Sequence, residues 1–318
     1  MSDPVHSPGL LECCTAVAGL ARGLVRPRPR DERFLRSITD AGLPRPRATV
    51  RVTALEQAPR SVPTAAIVEG VRSPRRITNA LTTFLVRHPG ATFLVDPSVC
   101  LDAERRAIAQ LAPILRAVVR PPAATLATVT ALANQPGLPA PEFALPTHAH
   151  WDHVCGLLDL PGLPVHMHRP EYDWVTAGPV APVGGVRDAL LDRPVVHYDL
   201  DGPPVLTFTR SHDLFGDGSV VLVDLAGHTP GSIGVLAHTA RGWVLLAGDA
   251  AWHTLQISEI RQKSSFPGNL VDHDRDLAFR TLHRLHLARH VTTVVPTHDH
   301  AAALTLTTDS EAGTHPVA

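Results

Sequence analysis

Between Pro146 and Gly156 the sequence reads PTHAHWDHVCG, and His148, His150, Asp152 and His153 crowd side chains that divalent metals bind into one short stretch. At ordinary His and Asp frequencies about 0.004 such clusters are expected by chance in a chain of this length, so composition alone does not explain it. In an extended loop His148 and His150 project the same way, at a period of two, and can grip one ion. Asp152 and His153 follow after a turn and can face a second.

Three later stretches share the placement of this cluster: VDLAGHTPGS, LLAGDAAW and VVPTHDH. In each, a metal-capable residue (His228, Asp249 or His298) follows an apolar run that reads as a strand. Loops at strand ends are where a rigid scaffold displays chemistry. Together the stretches offer five imidazoles and two carboxylates, enough for two ions per chain with one carboxylate shared. Zinc suits such nitrogen and oxygen ligands, and a catalytic ion keeps one position open for water. Gly227 and Gly231 let the backbone around His228 turn tightly, and Pro230 stiffens it. An unpaired carboxylate after an apolar strand is costly, so Asp249 calls for a metal or a helix N-terminus to cap. THDH offers both His298 and His300. His166 and His168 lie inside one strand without a third partner and read as structural, and Cys155 reads as a buried neighbour of the cluster.

These loops need strands and helices to hold them. ATFLVD (91–96) and EFALP (142–146) read as buried strands, the first ending on Asp96 and the second leading into the cluster. DAERRAIAQLAPILRAV reads as a helix with Ile108, Leu111 and Leu115 on one face, interrupted by Pro113. PVHMH (164–168) reads as a strand, and VLTFT (205–209) and SVVLVDL (219–225) flank FGDGS as a hairpin would. SIGVLAHT and GWVLLAGD are two more strands around Gly242. Residues 272–290 form a helix with Ala278, Leu282 and Leu285 at helical spacing, and VTTVVP is a last strand. Two strand groups, each followed by helices, suggest two sheets packed between outer helices. Residues 1–47, Pro- and Arg-rich after a short helix, read as an N-terminal extension, and 48–318 as the main domain.

The balance of 19% charged and 44% hydrophobic residues, with net charge −1, is that of a globular protein without the basic excess of a nucleic-acid binder. Lys263 is the only lysine, and the predominance of arginine reads as compositional bias. Cys13, Cys14, Cys100 and Cys155 form no Cys-x-x-Cys pair and read as reduced thiols of a cytoplasmic protein. GLLECCTAVAGLARGL is broken by Glu12 and Arg22 and is too short to span a bilayer, so neither membrane anchor nor secretion signal is expected.

From about residue 50 to 302 the sequence resembles the metallo-β-lactamase superfamily: His-x-His-x-Asp-His, then isolated His, Asp and His in that family's order. The resemblance implies an α/β (α+β) fold, a four-layer αββα sandwich. It also implies that His148, His150 and His228 hold one zinc, that Asp152, His153 and His298 hold a second, and that Asp249 bridges them. His298, directly after a strand and followed by Asp, fits the family's last ligand better than His300. Asp96 would orient a ligand loop. The implied reaction is metal-assisted hydrolysis, in which hydroxide drawn from a water shared by the zincs attacks a carbonyl carbon, with Asp152 and Asp249 as the catalytic carboxylates. No Gly-x-Ser-x-Gly elbow is present.

HDLFGDGSVVLVDLAGHTPGS most resembles the N-acyl homoserine lactonase-like branch, which implies a lactone or related ester as the small-molecule substrate. Many such lactonases carry Tyr three residues after the bridging Asp, where this sequence has Trp252. An indole N–H donates a hydrogen bond but cannot serve as an acid or base. Trp252 and its neighbour His253 are expected in the substrate pocket. A glyoxalase II-type thioesterase shares the ligand set but adds a basic C-terminal helical domain. A nucleic-acid-processing member would show a basic surface, and a non-hydrolytic diiron redox member a Glu for the cluster's second His together with a flavin domain. No nucleic-acid or membrane partner is expected, and a homodimer is left open.

Overall fold

The computed structural model describes residues 10–111, 113–178 and 181–306. Residues 1–9 of the extension and 307–318 of the main domain lie outside the described residues. In chain order the strands are β1 (Arg51–Ala54), β2 (Arg60–Pro63), β3 (Arg76–Asn79), β4 (Phe84–His88), β5 (Ala91–Val95), β6 (Phe143–Leu145) and β7 (Val165–His168). They continue with β8 (Val195–Tyr198), β9 (Ser211–Asp213), β10 (Val220–Asp224), β11 (Ile233–Thr239), β12 (Gly242–Leu246) and β13 (Thr293–Val295). One sheet has the order β1-β4-β5-β6-β7-β8, the other β13-β12-β11-β10-β9, and β2 and β3 make a separate ribbon.

Side-chain alternation turns these sheets into layers, because successive strand residues face opposite sides. Phe84, Val86, Phe93, Val95 and Leu145 of the first sheet meet Val220, Leu222, Val235, Leu246 and Val295 of the second in one buried core. The intervening Leu85, Leu94 and Ala144 point the other way, onto Ile108, Leu115, Val154 and Val175 from outer helices. On the far side Val221, Leu236 and Leu245 pack on Ile257, Phe279, Leu282 and Leu285. Helix, sheet, sheet and helix stack in that order, the four-layer sandwich expected. Both faces of each sheet are covered, which is why the strands read as near-continuous apolar runs.

Two local expectations are corrected. The helix expected from Asp102 onward breaks into Ala103–Arg106, a tight 3₁₀ turn Ile108–Gln110, and a second helix Pro113–Val119. Pro113 has no N–H to bond back along the chain, so it starts a helix instead of continuing one. VLTFT is not a strand: Val205 and Phe208 exchange two backbone bonds of 3.0 Å across a turn in which Leu206 has a φ of 49°. The hairpin's first strand is β9, slightly later in the chain. The helix Arg275–Ala288 starts where Asp274 caps it, accepting from the amides of Asp276 and Leu277.

The helix Leu10–Val25 packs along the helix Ser265–Val271, with Cys13 and Ala16 buried and Ser265 Oγ donating to the Ala16 carbonyl at 2.7 Å. No described helix is long and apolar enough to cross a membrane.

Candidate metal centre

Four strand ends converge on one place. The loop after β6 carries His148, His150, Asp152 and His153, while His228 follows β10, Asp249 follows β12 and His298 follows β13. Three imidazoles meet closely: His150 Nδ1 lies 3.1 Å from His148 Nε2 and 2.8 Å from His228 Nε2. Nitrogens about 2.0 Å from a tetrahedral ion would stand about 3.3 Å apart, so little movement separates this arrangement from a coordinating one. Beside it, His298 Nε2 is 3.4 Å from Asp152 Oδ2, and Asp152, His153 and His298 form a second group with the reach of one ion.

Asp249 stands between the groups. Its Oδ1 is 3.1 Å from His298 Nε2 and 3.3 Å from His153 Nε2, and its Oδ2 is 3.4 Å from His228 Nε2. All seven side chains named from the sequence are thus in one cluster, six of them in buried residues and Asp152 half-buried. His300 is not among them. It begins the helix His300–Leu304 and lines a different cavity, with Thr53 and Gln57.

The donor set fits divalent cations. Burial, then neighbouring imidazoles, hold His148 and His150 well below the usual histidine range, and burial and Lys263 lower His228 as well, so this trio stays neutral as ligands must. Burial opposes charge on His153 and His298 too, but the Asp249 carboxylate (with Asp96 for His153) overcomes it and raises both. Positive charge is therefore favoured around Asp249. His153 Nε2 and Asp249 Oδ1 are buried without a hydrogen bond. A buried polar atom left so costs about 1–3 kcal/mol, which a bound cation would remove.

Three further carboxylates brace the loops. Asp96, fully buried with a φ of 51°, accepts from the Thr147 amide at 2.7 Å and from the hydroxyls of Thr147 and Thr297, and lies 2.9 Å from His153 Nδ1. Those threonines immediately precede His148 and His298. Glu171 accepts from the Ala149 amide, the Thr229 hydroxyl and the Gly231 amide, tying the His148–His150 loop to the His228 turn. Burial pushes its carboxyl up to about 7, although those donors pull the other way. Asp272 Oδ1 lies 2.8 Å from His228 Nδ1, fixing that ring with Nε2 toward the centre.

Asp272 in turn accepts from Lys263 Nζ at 2.6 Å, and Lys263 is 3% exposed. The lone lysine is therefore more than a mark of compositional bias. Its ammonium also sits 4.9 Å from the Trp252 ring centroid. Glu171 and Asp272 had no sequence signal of their own, because their surroundings are long-range contacts. Lys263 had one, its singularity.

The glycines act by more than turning. Gly227 has a φ of 134°, but a side chain there would also strike the Ala278 amide, and at Gly231 it would strike the Glu171 backbone. His168 Nδ1 contacts the Gly231 carbonyl at 3.0 Å, and His166 stacks on Phe143, so this pair has packing roles. In the hairpin turn, Asp213 accepts from the amides of Gly216 and Gly218, and Asp217 from Ser219. That turn lies at the opposite end of β10 from His228.

Trp252 lies at the centre's edge. Its Nε1 donates to Asp249 Oδ2 at 2.6 Å, and it lines a cavity of about 360 Å³ with Asp152 and His298. The other walls are mostly apolar, including Leu20, Ile67, Leu81, Trp151 and Phe266. His253 is not brought into this cavity. It caps the helix Thr254–Glu259, its Nδ1 accepting from the Leu255 amide at 3.1 Å.

Comparison with known proteins gives a consistent frame. The model of the metallo-beta-lactamase superfamily matches residues 79–298. The probable metallo-hydrolase Rv2300c of Mycobacterium tuberculosis is 31% identical over 116 residues, 34% of this chain and 36% of that protein. The match thus spans about a third of the mycobacterial relative's length. The N-acyl homoserine lactonase AttM of Rhizobium radiobacter is 24% identical over 220 residues, 68% of this chain and 80% of that protein. Among solved structures, a B. thuringiensis AiiA variant with N-decanoyl-L-homoserine bound at its active site superposes with a TM-score of 0.57. It is 15% identical, over 81% of this chain and 96% of that one, a likeness of fold.

Proposed function

The chain belongs to the metallo-beta-lactamase superfamily, and we propose that it is a dinuclear-metal hydrolase of a lactone or related ester. His148, His150 and His228 would hold one ion, Asp152, His153 and His298 a second, and Asp249 would be shared. The observation that carries this reading is the two-sided position of Asp249, with one oxygen toward His153 and His298 and the other toward His228. Zinc is the ion such a nitrogen and oxygen set suits.

When bound, such ions supply Lewis acidity toward a carbonyl oxygen and lower the pKa of water. The chain's residues supply position. Asp96, Glu171 and Asp272 hold the ligand loops, and Trp252 holds the Asp249 carboxylate at Oδ2. Asp152, half-buried and lining the cavity, is the carboxylate a substrate meets first. No serine or cysteine lines that cavity among the described residues, which argues against a serine or cysteine nucleophile there. Its apolar walls suit an acyl group and exclude bulk water. The similarity to AttM over 80% of that lactonase's length supports a lactone among the esters.

Elemental analysis of the purified protein, joined to a hydrolysis screen of lactones, aryl esters, thioesters, phosphodiesters and β-lactams, tests the reading. Two ions per active chain and the highest kcat/KM on a lactone or ester are expected. One ion or none per active chain would overturn the dinuclear assignment. Turnover confined to thioesters, phosphodiesters or β-lactams would overturn the substrate.

A further inference from the structure

Away from Asp152 and His298 on the side of the metal centre, the cavity is mostly apolar, and the β2–β3 ribbon adds polar side chains to its wall. Arg60 of β2 pairs with Asn79 of β3, and Val62 with Ile77. Cross-strand partners share a face of the ribbon. The opposite face is identified by Arg76 Nε, which donates to Ser61 Oγ at 2.8 Å. Arg60, Val62, Ile77 and Asn79 therefore lie on the other face, and Arg60, Val62 and Asn79 all line the cavity.

Asn79 is 8% exposed, and its side-chain amide has no hydrogen-bond partner among the described residues. The amide is not sealed away from solvent: it opens into the cavity, where an entering group can bond it. Arg60, directly across, is exposed, also without a partner among the described residues, and the only lysine or arginine lining the cavity. The two donors stand close to the reaction centre. Asn79 forms a backbone bridge with Asp299, and the Ala80 carbonyl that follows it contacts His298 Nδ1 at 3.0 Å. Outward from the centre the order is His298, Asn79, Arg60.

We propose that Asn79 and Arg60 are specificity-determining residues that read a carboxylate on the substrate, placed a few bonds from the scissile carbonyl. This rests on the hydrolase reading above and narrows it to anionic esters or lactones. The acyl part lies against the apolar walls, while the carboxylate accepts from the Asn79 amide and pairs with the Arg60 guanidinium, whose planar fork matches a carboxylate. A neutral group in the same place would leave Arg60 in water and gain only the Asn79 bond.

Paired substrates that differ only in carrying a carboxylate or a primary amide beside the ester test this. The wild-type protein is expected to favour the carboxylate by about tenfold or more in kcat/KM, the scale of a hydrogen bond to a charged partner. Arg60→Met should abolish that ratio, Arg60→Lys should keep part of it, and Arg60→Glu should invert it. Asn79→Leu should lower kcat/KM for both members of the pair. A second arm uses octanesulfonate, an anion that coordinates metals weakly, against octan-1-ol, read by the fluorescence of Trp151 and Trp252 in the cavity wall. The sulfonate should bind more tightly, and Arg60→Met should remove the difference. Equal kcat/KM for the paired substrates with no response to Arg60→Met would overturn the proposal, as would equal binding of the two probes. If no ester or lactone is turned over, the hydrolase reading fails, and the binding arm alone decides this one.

Discussion

Trp252 Nε1 donates to Asp249 Oδ2 at 2.6 Å, and the same oxygen lies 3.4 Å from His228 Nε2. The indole three residues after Asp249 thus bonds the carboxylate that stands between the two side-chain groups. Trp252→Phe keeps an aromatic ring but removes the donor. Loss of a bond to a charged partner is worth about 1.5–3 kcal/mol, so chelator competition should show metal binding weakened about tenfold or more, with the fold intact. Unchanged metal affinity and unchanged kcat would mean that this bond has no part in holding Asp249.

His298 and His300 are separated by a helix start. His298 Nε2 faces Asp249 at 3.1 Å, whereas His300 is the first residue of the helix that Asp299 caps. His298→Ala should deplete bound metal and activity by more than the roughly 10- to 100-fold that loss of an outer-sphere partner brings. His300→Ala should leave metal content near that of the wild type. Elemental analysis of the two variants checks this, and the reverse result would refute the register of the last loop.

Lys263 and Asp272 form a buried ion pair behind His228. Lys263→Met leaves Asp272 with Arg275 as its remaining cation, at 3.3 Å. Removing one partner of a buried pair is more costly than replacing both. The single variant should weaken metal binding about 10- to 100-fold, as loss of such outer contacts does. Lys263→Met with Asp272→Asn should recover part of the lost thermal stability. A double variant no more stable than the sum of the two singles would deny the coupling.

Asp217 provides a pH test away from the centre. Burial opposes its charge, but bonds from Ser219 and His88 outweigh that and pull its carboxyl down to about 2 from an ordinary 3.8. A folded pKa below the unfolded one adds stability above about pH 4, and that stability is lost as pH falls toward 2. Asp217→Asn should therefore cost about 1 kcal/mol at neutral pH, with the difference closing in acid. Urea denaturation as a function of pH reads it directly, and a difference independent of pH would contradict the linkage.

Much of this molecule was legible as a sequence because its signals are local. His148, His150 and His153 are close neighbours, and His228, Asp249 and His298 each follow an apolar run that read as a strand and is one. Boundaries failed where the chain departs from regular geometry, at Pro113 and in the turn after Val205. Trp252 could be placed at the cavity, but not its donor direction, since which atom an indole N–H finds is set by packing across the fold. His253 was drawn into the expected pocket by adjacency alone, and a cap on Leu255 claims it instead. Glu171 and Asp272 were invisible for a related reason: a carboxylate that binds backbone amides or a lysine far along the chain leaves no spacing to read. The Asp213 and Asp217 turn carries the opposite lesson. It carried part of the resemblance, yet it shapes a hairpin tip at the end of β10 away from the His and Asp cluster.

Asp96 follows β5 of the first sheet, and it accepts from Thr147, just after β6 of that sheet, and from Thr297, just after β13 of the second. Apolar contacts between two sheets tolerate small slides, because they are non-directional. Hydrogen bonds to one carboxylate do not, since they weaken steeply with angle and distance. A keystone touched from both sides reports any shift of the arch. Asp96 is in that sense a gauge of alignment, and a small slip between the halves would be felt at the reactive loops before the greasy interior registered it.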